Sequence, residues 1–174
     1  MSRQNPARTL QEAQAGMSWE VLGGRFALLG WDVVAEDLDP GLPEPDLLGS
    51  GPAQVVVEGG EITLLAPQEI ALAWQDRHPR CRVERDLRWI RFRTPMGWEV
   101  VGFLARVTSA LAQAGVPLGA VCGFSRDHLF VAERHLAQAR QVLADLFGPE
   151  RKEPPPARTG AGGGCGADDS TTGS

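Results

Sequence analysis

Between Trp89 and Leu146 the apolar pattern changes period several times, and this succession limits the folds open to the chain more than any other feature. Ile90 and Phe92 alternate with Arg91 and Arg93, as in a half-buried strand, and Pro95 stops the run. Val100, Leu104, Val107, Leu111 and Ala114 then recur at helical spacing, with Gly115 where a C-terminal cap belongs, which predicts a helix from Glu99 to Ala114. The segments "VPLGAVCGF" and "HLFVAE" read as two short strands around a turn at Ser125-Arg126. Leu136, Ala139, Leu143 and Leu146 line one face of a final helix.

The first half carries the same kinds of element. "SWEVLGGRFALLGWDVV" is strand-like with a bulge or tight turn at Gly23-Gly24, and a Pro-rich connection follows. "AQVVVEGGEITLLAP" is a hairpin hinged at Gly59-Gly60, and "PQEIALAWQDR" is a short helix with Ile70 and Trp74 on one face. The order in the second half reads strand, helix, strand, strand, helix, and the first half, with its strand, hairpin and helix, is read as a repeat of that arrangement. This predicts an α+β protein of two ferredoxin-like (βαββαβ) halves packed side by side, each an antiparallel sheet with helices on one face. The second half has no segment left for a fourth strand. Two long extended segments, Trp19 to Val34 and Arg80 to Thr94, are therefore expected to serve both halves. The expected divisions are a disordered N-terminal tail over 1–17, with a short helix at Leu10 to Ala15 allowed, an N-terminal half over 18–85, a C-terminal half over 86–148, and a disordered tail over 149–174. The last segment is rich in Pro, Gly and Ser and has almost no apolar side chains to offset ordering.

With 174 residues, 43% of them hydrophobic, the chain can bury one good core or two small adjoining ones. No apolar run approaches the roughly 20 residues that cross a bilayer, and the N-terminus lacks the apolar stretch of a secretory signal, so a cytoplasmic protein away from membranes is expected. Three cysteines without a CxxC pair fit a reducing compartment and offer no zinc site. A net charge of −5 argues against nonspecific nucleic-acid binding. The arginines between Arg77 and Arg93 are interrupted by Asp76, Glu84 and Asp86, which favours a mixed solvated face over a phosphate patch. No GxGxxG, Walker loop or ligand cluster implies a nucleotide or metal cofactor.

The residues that carry chemistry surround the helix predicted after Pro95. A helix N-terminus offers unpaired N–H groups, so the turn from Gly97 to Gly102 suits a carboxylate, with glycine allowing close backbone approach. Glu99 and Asp127 are then candidates for the positive end of a ligand. Equally, Glu99 can serve the helix dipole and Asp127 can bond the hairpin backbone, while Gly97 and Gly102 can exist to let strand and helix pack. Cys122 and His128 are near in sequence, but Cys122 reads as a buried structural cysteine rather than a nucleophile. His135 reads as a solvated residue opening the last helix.

The run from "WIRF" through "MGWEVVGFLARVTSALAQAGVPLGAVCGFSRDHLFV" resembles the ACT-like domain of the CASTOR type, a group of small stand-alone bacterial and fungal proteins and the cytosolic arginine sensors of animals. The resemblance rests on Gly102-Phe103-Leu104 at the helix start, "LAQAG" at its end, and Asp127 before "HLFV"; "LGGRFALL" to "EITLLAP" is similar to the N-terminal part of these proteins. It implies a regulatory, amino-acid-binding fold. Gly97, Glu99, Gly102, Phe103 and Asp127 are the candidate ligand-binding residues, with no catalytic residue, metal or cofactor. The expected partners are a small-molecule ligand, an amino acid by this resemblance, and a protein partner or a second copy. The alternatives are an interaction module with a degenerate pocket and, third, a small enzyme.

Overall fold

The computed structural model describes residues 6–32 and 51–151. Its elements in chain order are α1 (Leu10–Ala15), β1 (Trp19–Val21), β2 (Phe26–Asp32), β3 (Gln54–Glu58), β4 (Glu61–Pro67), α2 (Gln68–Arg77), β5 (Arg82–Phe92), α3 (Phe103–Gln113), β6 (Gly119–Cys122), β7 (Asp127–Ala132), a 3-10 turn at Glu133–His135, and α4 (Leu136–Phe147). The described strands form one antiparallel seven-stranded sheet in the order β3-β4-β2-β5-β7-β6, with β1 also paired to β5.

Strand β5 joins the two halves. Its first part pairs with β2, closing the N-terminal set β3-β4-β2-β5. Its last part pairs with β7 on one side and β1 on the other, giving the C-terminal set β1-β5-β7-β6. The fourth strand missing from the C-terminal half is thus β1, supplied from the start of the chain. Sharing of two extended segments is what the sequence leads one to expect. The first segment is broken into β1 and β2 at Leu22–Arg25, and Val33 and Val34 lie outside the described residues.

A bulge in β5 makes the sharing possible. Phe26 pairs with Leu87 but Leu28 pairs with Glu84, so Ala27 faces two residues, Arg85 and Asp86. Asp86 takes φ 56°, its N–H donates to Gln68 Oε1 at 2.7 Å, and its carboxylate pairs with Arg25 at 2.8 Å. One extra residue reverses the alternation of side chains along a strand. Val83 therefore packs under α2 with Leu29 and Trp74, while Ile90 and Phe92 pack under α3 and α4 with Val107, Leu111, Leu129 and Leu143. A third cluster, with Phe26, Leu65, Leu87 and Trp89, lies on the other side of the sheet. Beside it Glu20, 1% exposed, accepts from Arg91 Nε at 2.5 Å and Arg93 Nη1 at 2.6 Å.

Three expectations are corrected. Residues 6–17, read as tail, carry α1, capped by Thr9 Oγ1 accepting from Glu12 N at 3.1 Å; Ala13 and Met17 are buried against the C-terminal core, because they give this polar segment one apolar face. Residues 149–151 run beside β1, with Arg151 N donating to Trp19 O at 2.9 Å and Val21 N donating to Glu150 Oε1 at 3.2 Å, which pairs backbone groups that β5 leaves free. Residues 1–5 and 152–174 lie outside the described residues. The long helix starts at Phe103 rather than Glu99, and its buried face is Phe103, Val107 and Leu111, with Leu104 only partly covered.

Candidate functional site

The late start of α3 comes from Gly102, which precedes it at φ 89°, a left-handed conformation that L side chains rarely adopt. Ahead of it Val100 N donates to Gly97 O at 3.1 Å, so residues 97–100 form a turn. No side chain caps α3 and no acidic residue lies in its first turn. Its first N–H groups consequently retain hydrogen-bonding capacity and the positive end of the helix dipole.

This turn stands over the β6–β7 turn. Met96 N donates to Ser125 O at 3.0 Å, Gly123 N to Arg126 O at 2.8 Å, and Arg126 Nε to Arg93 O at 3.0 Å, tying the end of β5 to the hairpin. Between the two turns lies an open cavity of about 290 Å³, lined by residues from Met96 to Ala105 and from Cys122 to Asp127. Four of the five candidate residues, Gly97, Gly102, Phe103 and Asp127, contribute to its wall.

The fifth, Glu99, is not in that wall. Its carboxylate folds back over Gly97, where a Cβ would come within 2.5 Å of Glu99 Oε2. Gly97 thus makes room for this side chain, and Glu99 lies ahead of the helix rather than in its first turn. Phe103 is also more structural than its position suggests: its ring is buried, 5.0 Å from Phe92 and 5.8 Å from Phe147 between centroids.

Asp127 stands opposite Cys122 across the hairpin, on the same face of β7 as the buried Leu129 and Val131. It is half-buried, and burial pushes its carboxyl above the usual carboxylate range, against a smaller opposing hydrogen bond from Cys122. The Cys122 thiol is raised in turn, first by the partial loss of water around its sulfur and then by Asp127, which keeps it protonated at neutral pH. Contrary to expectation Cys122 is exposed, since it ends the edge strand β6. His128, on the opposite face, is held below its usual value by burial and then by Arg91 and Arg126.

Sequence reasoning missed the apolar rim. Trp98 and Phe124 line the cavity yet are 95% and 100% exposed, and Val101, in the segment that leads from Trp98 to the helix, is 82% exposed. Each is a single apolar residue in a turn, without periodicity to mark it; only the meeting of the turns makes them a patch. A larger cavity of about 830 Å³ lies near the start of α2. It contains none of the candidate residues, and its two arginines, Arg25 and Arg91, are already paired with Asp86 and Glu20.

Residues 82–145 match the ACT domain family. The match to the ACT domain begins with β5 and ends in α4, so it covers both walls of the cavity and leaves out β1, the strand that completes this half. No curated protein matches the chain in sequence. Solved structures carry the likeness to the whole described fold. A protein from Agobacterium tumefaciens is 20% identical with a TM-score of 0.60, over 77% of this chain and 90% of that one. A protein of unknown function from Vibrio cholerae is 22% identical with a TM-score of 0.56, over 78% and 92%. The ligand-free regulatory subunit of aspartate kinase from Thermus thermophilus is 12% identical with a TM-score of 0.56, over 78% and 99%. These likenesses concern the fold. Among the described residues, no helix is long and apolar enough to cross a membrane, and no three His, Cys, Asp or Glu side chains gather as metal ligands do.

Proposed function

We propose that this chain is a non-catalytic regulatory module that binds an amino acid in the cavity between the turn before α3 and the β6–β7 turn. The observation that carries the reading is the pairing of an uncapped helix N-terminus with the half-buried carboxylate of Asp127 across one small cavity. The first suits an α-carboxylate and the second an α-ammonium group. A carboxylate kept ionised at a partly desolvated position costs stability unless a cation meets it, which the ammonium would do. The ACT domain match and the likeness to an aspartate kinase regulatory subunit support a ligand-binding regulatory role. The resemblance to CASTOR-type proteins extends it to a cytoplasmic sensor whose ligand state biases contact with a partner protein or a second copy.

The exposed Trp98, Val101 and Phe124 favour a second reading, an interaction module whose pocket no longer binds. A thermal-shift screen of the full chain against the twenty amino acids separates the two, because a ligand that binds only the native state raises apparent stability by mass action. A shift with at least one amino acid in the parent, reduced in Asp127→Asn, is expected. No shift with any of the twenty would leave the interaction module as the reading.

A further inference from the structure

The cavity has a charge inventory that restricts the side chain of its ligand. We propose that it selects an amino acid with an apolar side chain, enclosed between Trp98 and Phe124, over one bearing a second charge. This rests on the reading that the cavity takes an amino acid.

The lining carboxylate is used up by the backbone end of such a ligand. Among the described lining residues Asp127 is the one carboxylate, and it is committed to the α-ammonium group. A guanidinium or side-chain ammonium would need a second carboxylate. The nearest in sequence, Glu99, folds over Gly97 and does not line the cavity. An acidic side chain would have Arg126, but that residue is exposed and its Nε already donates to Arg93 O, so water screens what it offers.

Apart from the Ser125 hydroxyl and the Cys122 thiol, neither of them charged, what remains of the wall is apolar. Met96, Val100 and Leu104 flank the helix start, and Trp98 and Phe124 stand at the open mouth, one from each turn. These two rings have almost all their surface in water, although the rest of the cavity lies beside them. A side chain of leucine or methionine size would cover part of both rings, and covering that much apolar area is worth on the order of tenfold in affinity.

Trp98 also supplies the readout. The chain has five tryptophans; Trp19, Trp31, Trp74 and Trp89 are buried, so acrylamide quenching of the full-length protein reports chiefly on Trp98. Titration with L-leucine and L-methionine should raise the melting temperature and lower the quenchable fraction. L-arginine, L-lysine and L-glutamate should bind at least roughly tenfold more weakly. Trp98→Ala, at an exposed site that folding does not need, should weaken L-leucine on the order of tenfold. If arginine, lysine or glutamate binds as tightly as leucine, the selectivity is wrong while the amino-acid reading stands. If Trp98 is instead protected as protein concentration rises with no amino acid present, a second copy covers the rim and the side-chain subsite is overturned. If none of the twenty amino acids moves either readout, the amino-acid reading itself falls.

Discussion

Gly119 and Phe130 face each other across the β6–β7 hairpin, and the Phe130 ring fills the space a Cβ on Gly119 would need. This close approach seats Phe130 beside the cluster of Phe26, Leu87 and Trp89 on the side of the sheet away from the helices. Gly119→Ala should displace the ring and cost about 1 to 3 kcal/mol, the usual range for overpacking. Denaturant unfolding checks it, and an unchanged midpoint would show that the ring moves freely.

Glu20 is the buried anchor of β1, the strand lent by the start of the chain to the C-terminal half. Glu20→Gln keeps the size and removes the charge facing Arg91 and Arg93. Both arginines are partly exposed and can regain water, so the loss should be about 1 to 3 kcal/mol rather than that of a fully buried pair. Because Glu20 binds Arg91 in β5 and Arg93 just beyond its end, hydrogen exchange should show β1 and the end of β5 loosening together.

The two leucines of α3 should differ. Leu111 is fully buried and Leu111→Ala should cost about 2 to 5 kcal/mol, whereas Leu104→Ala, at a partly covered position, should cost less. Equal losses would mean that the buried face of the helix has been misassigned. This contrast also marks where the sequence was legible and where it was not. Val107 and Leu111 are recoverable from helical period alone. Val100 fits the same period but lies in the turn ahead of the helix, because the left-handed conformation at Gly102 shifts the helix start by four residues, and a list of apolar spacings does not encode backbone conformation. Sharing of β5 could be inferred from the missing fourth strand. The Asp86 bulge that makes it work could not, since its cause is the register against β2. At the cavity, Gly97, Gly102 and Asp127 were readable from turn and helix-start chemistry. Trp98 and Phe124 were not, since they lie in different turns 26 positions apart in sequence.

Asp127 and His128 should give opposite responses to pH. The folded-state pKa of Asp127 is raised, so its ionisation at neutral pH opposes folding; the relative stabilisation it offers is complete below 3.8 and is lost as pH rises through the higher folded value. Without ligand, Asp127→Asn should therefore melt at or above the parent temperature at neutral pH, with the advantage shrinking on acidification. The folded-state pKa of His128 is lowered, so its contribution is present above 6.5 and is lost as pH falls through the lower folded value. His128→Asn should flatten the parent's loss of stability in that mildly acidic window. Melting curves across pH for the two variants measure both slopes.

Calorimetric titration of the parent and Asp127→Asn with L-leucine tests the central claim most directly. The carboxylate that burdens the free protein is retained, on this account, because it meets the ammonium group of the ligand. A charged hydrogen bond of about 1.5 to 3 kcal/mol predicts that the folded Asp127→Asn variant binds roughly ten- to hundredfold more weakly, although it is no less stable when empty. Equal affinity of parent and variant would contradict the assignment of Asp127 as the ligand's anchor.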